Sequence, residues 1–133
     1  MSSIIKTFIL ASGAVICSAT PVFASNWTYI DYNVNGTAWL YDADTSSSNG
    51  SMVTVWEKQD HSRDRTEKAR ETKSFVRYNC ISRTRTLLSF TVLYPNGKVE
   101  SADLPYYQQS EAAIAPDSIA EAAMKAVCAA TAR

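Results

Sequence analysis

The sequence predicts an α+β fold, a single antiparallel β-sheet of about five or six strands with a C-terminal α-helix packed on it and tied to it by a disulfide. Three observations carry this expectation. Runs of alternating aromatic and β-branched residues recur between Trp27 and Tyr94. One helical signature follows them, opening at Ser118. An even pair of cysteines, Cys80 and Cys128, remains once an N-terminal export signal is set aside.

The signal is MSSIIKTFILASGAVICSATPVFA, where Lys6 precedes an apolar run and Val22-Phe23-Ala24 forms a signal-peptidase site. Residues 1–24 are therefore expected to be a signal peptide and residues 25–133 the mature domain. Ser12, Gly13 and Ser18 interrupt the apolar run, which falls short of the ~20 residues a bilayer span requires. No integral membrane span is expected in the mature chain. Ile16 is too bulky a neighbour for a lipidated Cys17, so the protein is expected to be exported to the periplasm, the cell surface or the medium. In that oxidising compartment a Cys80–Cys128 disulfide is the natural reading, with two buried free thiols as the alternative. It closes a loop of about 50 residues, for which chain entropy gives on the order of 4 kcal/mol.

The first two strands surround Asn35-Gly36, a tight-turn signal, with Trp27 and Tyr29 before it and Thr37, Trp39 and Tyr41 after it. Asp42 to Ser51 reads as a polar connection, and Met52 to Lys58 as the third strand. Glu57 to Lys73 carries almost no apolar residue. It is expected to be the mobile, solvated tip and base of a long hairpin whose second arm begins near Ser74, and its partial deletion to leave stability nearly unchanged, with a short exposed helix as the alternative. Ser74–Ile81 and Thr84–Tyr94 read as two further strands, the second apolar on both faces and so expected to be central. Lys98 to Ala102 reads as a short edge strand, and Leu104 to Ala115 as irregular, with Tyr106 and Tyr107 crossing a sheet end. Ser118 and Glu121 have capping-box spacing, and a helix from about Ile119 to Ala130 places Ile119, Ala123 and Val127 on one stripe.

The chemistry of catalysis is sparse. His61, the single histidine, has no cysteine or second histidine near it in sequence and reads as a solvated loop residue. Neither a C-X-X-C pair nor a nucleophile–base motif is present, so no catalytic residue, cofactor or metal is expected and the chain reads as noncatalytic. The 13 basic residues balance the 13 acidic ones, and losing Lys6 with the signal leaves 12 against 13, which gives no long-range attraction for nucleic acid. Candidate contacts for a protein partner are Arg63, Arg65, Lys68 and Arg70 in the charged segment, with Asp64, Glu67 and Glu71 interleaved so as to cancel much of their field. Arg83 and Arg85, at alternate positions and so facing one way, are further candidates, or else pair with Glu57 or Glu100 across the sheet.

The order of these pieces resembles the surface-adhesin protein E family of bacterial exported proteins. The resemblance is carried by Val53-Thr54-Val55-Trp56, by Tyr78-Asn79-Cys80 with Arg83 and Arg85, and by Ala115-Pro116-Asp117-Ser118 leading to Val127-Cys128. It implies the same sheet, helix and disulfide, and a noncatalytic, adhesin-like binding module that contacts host extracellular-matrix or plasma proteins. The alternative is a periplasmic structural or envelope-accessory protein without a host ligand. The expected partner is a protein, and a homodimer is one form such contact can take.

Overall fold

The computed structural model of the chain describes residues 13–15 and 25–131. The expected signal peptide otherwise lies outside the described residues. Strands β1 (Trp27–Tyr32) and β2 (Ala38–Asp42) form the first hairpin. Its turn needs Gly36, whose φ of 98° is disfavoured for any residue with a Cβ, and the Asn33 side chain accepts the backbone N–H groups of Asn35 and Thr37, each at 3.0 Å. There follow β3 (Ser47–Asn49), β4 (Met52–Asp60), β5 (Glu71–Asn79), β6 (Thr84–Leu93), β7 (Val99–Asp103), β8 (Glu111–Ala113) and the helix α1 (Ile119–Thr131).

All the pairings are antiparallel, in the order β1-β2-β4-β5-β6-β7. The sheet has eight strands rather than five or six, because two short strands extend columns already present. β2 occupies β4 from Glu57 to Asp60, which frees Met52 to Thr54 for β3. β7 occupies β6 from Ser89 to Leu93, which frees Thr84 to Thr86 for β8.

Alternation sets the core. Val53, Val55 and Glu57 of β4 share a face with Ser74, Val76 and Tyr78 of β5, and all six are buried. α1 lies on this face over β1, β2 and β4, and it buries Ala123, Met124 and Val127 against it. Burial of a side chain the size of valine or methionine contributes about 1.5–3 kcal/mol. The strand expected to be central, β6, is instead next to the edge column, and most of its apolar residues are only half-buried. An irregularity in the β5–β6 register lets Leu88 fall between the pairs Val76–Leu87 and Phe75–Ser89, which breaks the simple alternation.

Two devices fix the helix. At its start the Ser118 hydroxyl accepts the Glu121 N–H at 3.2 Å, while the Glu121 carboxylate receives the Asp117 N–H at 3.4 Å, a capping box shifted by one residue. At its end Cys128 is bonded to Cys80, just past the end of β5, with Cα atoms 6.0 Å apart.

Glu57 is the unexpected member of the core, since it is fully buried. The Tyr78 hydroxyl donates to one carboxylate oxygen, and Arg85 Nη2 donates to the other at 2.8 Å. Burial, and then the neighbouring Glu57 charge, pushes the Tyr78 phenol well above the usual tyrosine range, so it remains a donor. Arg85 thus takes the structural pairing expected of it.

Candidate functional site: a basic loop anchored from beneath

Residues 61–70 connect β4 to β5, and their inner side is built from polar groups. Thr37 and His61 are buried, as is Asp64 at 5% exposure. The Thr37 hydroxyl donates to Asp64 Oδ2 at 2.6 Å. Its only proton is thereby committed, so the 2.9 Å contact with His61 Nδ1 requires that nitrogen to carry the proton and donate. His61 Nε2 meets the Thr72 hydroxyl at 3.0 Å. The other oxygen of Asp64 accepts the Thr66 N–H at 2.9 Å and the Thr66 hydroxyl at 2.5 Å, an Asx turn that bends the loop. Hydrogen bonds from Thr37 first, and then Thr66, hold the Asp64 carboxyl below the usual aspartate range.

The backbone completes the anchoring. His61 N–H donates to Arg70 O at 3.0 Å, Asp64 N–H to His61 O at 2.9 Å, and Arg70 N–H to Leu93 O at 2.8 Å. The β1–β2 turn presses against the loop, where a Cβ on Gly36 would meet Arg63 O at 3.1 Å.

This geometry corrects two expectations. The segment is a hairpin tip, but it is shorter than expected and not solvated throughout, since β4 extends to Asp60, β5 begins at Glu71, and both His61 and Asp64 are turned inward. Nor do the three interleaved acids all stand exposed among the basic residues as the sequence implies. Asp64 points into the protein, and Glu71 stands 3.8 Å from Lys58, which leaves only Glu67 exposed among Arg63, Arg65, Lys68 and Arg70. None of these four exposed cations forms an ion pair with another described residue.

Arg63 also lines a groove of about 590 Å³ with Tyr29, Tyr32, Gly36, Ala38, Asp60 and Ser62. Tyr29 and Tyr32 are 53% and 66% exposed, so the groove joins aromatic surface to guanidinium. His61, Asp64 and Glu67 bring potential ligand atoms within 4.8 Å of one another. Both His61 nitrogens and both Asp64 oxygens are engaged in the hydrogen bonds above, so the set serves to hold the loop.

Arg83 and Arg85 do not join this surface, and they do not share a strand face. β6 begins at Thr84, and Arg83 sits in the preceding turn with φ of 57°. Its Nη2 reaches Glu121 on α1 at 2.5 Å, whereas Arg85 turns to Glu57, with its Nη2 2.8 Å from Oε2. Sequence reasoning missed Thr37 and the inward turn of Asp64. The available signal was Asp64-Arg65-Thr66, an Asx-turn pattern hidden in a run that reads as uniformly charged.

The model of the family described as Surface-adhesin protein E matches residues 27–129. The chain belongs to this family. Among solved structures, crystal form II of Haemophilus influenzae protein E is similar at 18% identity and a TM-score of 0.55, covering 79% of this chain and 90% of that one. Protein E from non-typeable Haemophilus influenzae is similar at 16% identity and a TM-score of 0.53, covering 84% and 81% respectively. These likenesses establish the shared fold. No curated protein matches the chain significantly in sequence. Among the described residues, no helix is long and apolar enough to cross a membrane.

Proposed function

We propose that this member of the surface-adhesin protein E family is an exported, noncatalytic binding module that contacts host extracellular-matrix or plasma proteins through the loop at residues 61–70. The observation that supports this reading most is the exposure of Arg63, Arg65, Lys68 and Arg70, without an ion-pair partner among the described residues, on a loop held in shape by buried hydrogen bonds. Preformed loops lose less entropy on docking, and arginines beside exposed tyrosines have the composition of protein interfaces. Family membership supports display outside the cytoplasm, and the N-terminal signal read from the sequence agrees with it.

The test pairs two measurements. Immobilised mature protein is offered a panel of purified matrix and plasma proteins, and intact cells are treated with protease to learn whether the protein is surface-exposed. Saturable capture together with surface exposure is expected. Absence of capture combined with protection from protease would contradict the proposal and favour an envelope-accessory role.

A further inference from the structure

The sheet face opposite α1 carries a second concavity, distinct from the basic loop. A cavity of about 400 Å³ is lined by Ser25, Trp27, Asp42, Thr45, Trp56, Lys73 and Thr91. The register explains why these residues meet. Trp27 pairs with Asp42 across β1 and β2, and Asp42 lies one residue beyond the Tyr41–Glu57 pair, level with Trp56 of β4. One row away, Leu40 pairs with Lys58, Lys58 with Lys73, and Lys73 with Thr91. A carboxylate therefore stands between two indoles, with a row of two lysines and a threonine alongside.

Asp42 is 3% exposed, yet only one of its carboxylate oxygens is used. Oδ1 accepts the Asp44 N–H at 3.1 Å, while Oδ2 receives no hydrogen bond from any described residue and is not sealed from solvent. An acceptor left to solvent beside a cavity can exchange water for a hydroxyl donor carried by a ligand. Lys58 Nζ already lies 4.8 Å from the Trp27 ring centre, and Lys73 lines the cavity, so a cationic ligand is disfavoured. Asp42 disfavours an anionic one. What remains is a neutral ligand with a flat apolar face for an indole, hydroxyl donors for Asp42 and hydroxyl acceptors for Lys73 and Thr91.

We propose that this cavity is a saccharide-binding site that seats a neutral pyranose ring against Trp27 and Trp56, with its hydroxyls donating to Asp42 Oδ2. Single small rings bind weakly, so Kd is expected at about 1 mM or above. Protein–protein docking by the basic loop neither requires this site nor is required by it.

The three tryptophans provide an internal control, because Trp39 packs on the opposite face against the core. The ¹⁵N-labelled mature protein is titrated separately with methyl β-galactopyranoside, N-acetylglucosamine and, as a peptide surrogate, N-methylacetamide. The indole N–H signals of Trp27 and Trp56 should move saturably with at least one sugar while that of Trp39 stays in place. Asp42→Asn, which retains an oxygen for the Asp44 N–H, should weaken binding tenfold or more without moving the Trp39 signal. Lys73→Gln, away from the turn, should weaken it less. Absence of saturation with both sugars, equal movement of Trp39, or a response to the amide alone would overturn the proposal. So would an Asp42→Asn protein that remains folded and binds as tightly as the wild type.

Discussion

Thr37 shows how one hydroxyl can organise a surface that it never reaches. It donates to Asp64 and accepts from His61, which joins the first hairpin to the loop at residues 61–70. Replacing Thr37 with valine keeps the shape but leaves Asp64 Oδ2 and His61 Nδ1 without their partner. A loss of about 1–3 kcal/mol is expected in urea unfolding. The same variant should raise the Asp64 pKa toward its ordinary value, because Thr37 is the largest cause of its depression. The sign for stability follows. A carboxyl depressed in the folded state stabilises above its unfolded pKa, near 4, and this contribution is lost as pH falls through the folded value. Acid unfolding of Thr37→Val should therefore be less steep than that of the wild type, with carboxyl-carbon NMR of Asp64 as the direct check. Glu57 gives a second expectation at this scale. Arg85→Met leaves a fully buried carboxylate with Tyr78 as its sole side-chain partner among the described residues and should cost about 3–5 kcal/mol, while Glu57→Leu and Tyr78→Phe combined with Arg85→Met, which leave no polar group of the trio behind, should recover most of it. A single variant within 1 kcal/mol of wild type would show that the pair contributes little.

Among the elements, the helix and the charged loop trade the roles that the sequence assigns to stability. Deleting Arg63 to Arg70 reads from sequence as neutral. With Asp64 inside that span, the deletion strips partners from Thr37 and His61 and should lower the melting temperature by several degrees, since each orphaned buried group costs about 1–3 kcal/mol. An unchanged melting curve would return the loop to the status of a solvated tip. α1 is held by Ala123, Met124 and Val127, by the Arg83–Glu121 ion pair and by the disulfide. The apolar anchors are few, and ordering a helix of this length costs about 1–2 kcal/mol per residue before its hydrogen bonds are counted. Cys128→Ser should therefore release α1 before the sheet melts, seen as faster amide exchange from Ile119 onward while β4 and β5 stay protected. Equal protection in mutant and wild type would mean that packing alone holds the helix. Elements with a strong period or a cap were legible in the sequence, among them the first hairpin, β4, β5 and α1. β3 and β8 were not, because Ser47-Ser48-Asn49 and Glu111-Ala112-Ala113 are too short and too polar to alternate, and they form only where a neighbouring strand leaves β4 or β6 unpaired.

On the scale of the whole molecule, sequence and structure differ most over where the charge goes. A neutral total and interleaved signs make the 61–70 segment read as self-cancelling, and only three-dimensional contacts reveal that Asp64 is internal and Glu71 lies beside Lys58. The candidate residues Arg63, Arg65, Lys68 and Arg70 were legible because they are basic and clustered. Arg83 and Arg85 were separated from them by a turn with positive φ and by a buried glutamate, neither of which has a sequence signature. The anchored loop is the proposed docking surface. Its most direct test compares the wild type with a variant carrying Arg63→Gln, Arg65→Gln, Lys68→Gln and Arg70→Gln for capture of whichever matrix or plasma protein the wild type retains, at low and high salt. The four side chains are exposed and make no ion pair among the described residues, so the variant should melt as the wild type does. Its binding should fall tenfold or more and lose its salt dependence. A folded variant that captures the same protein with wild-type affinity would contradict the account.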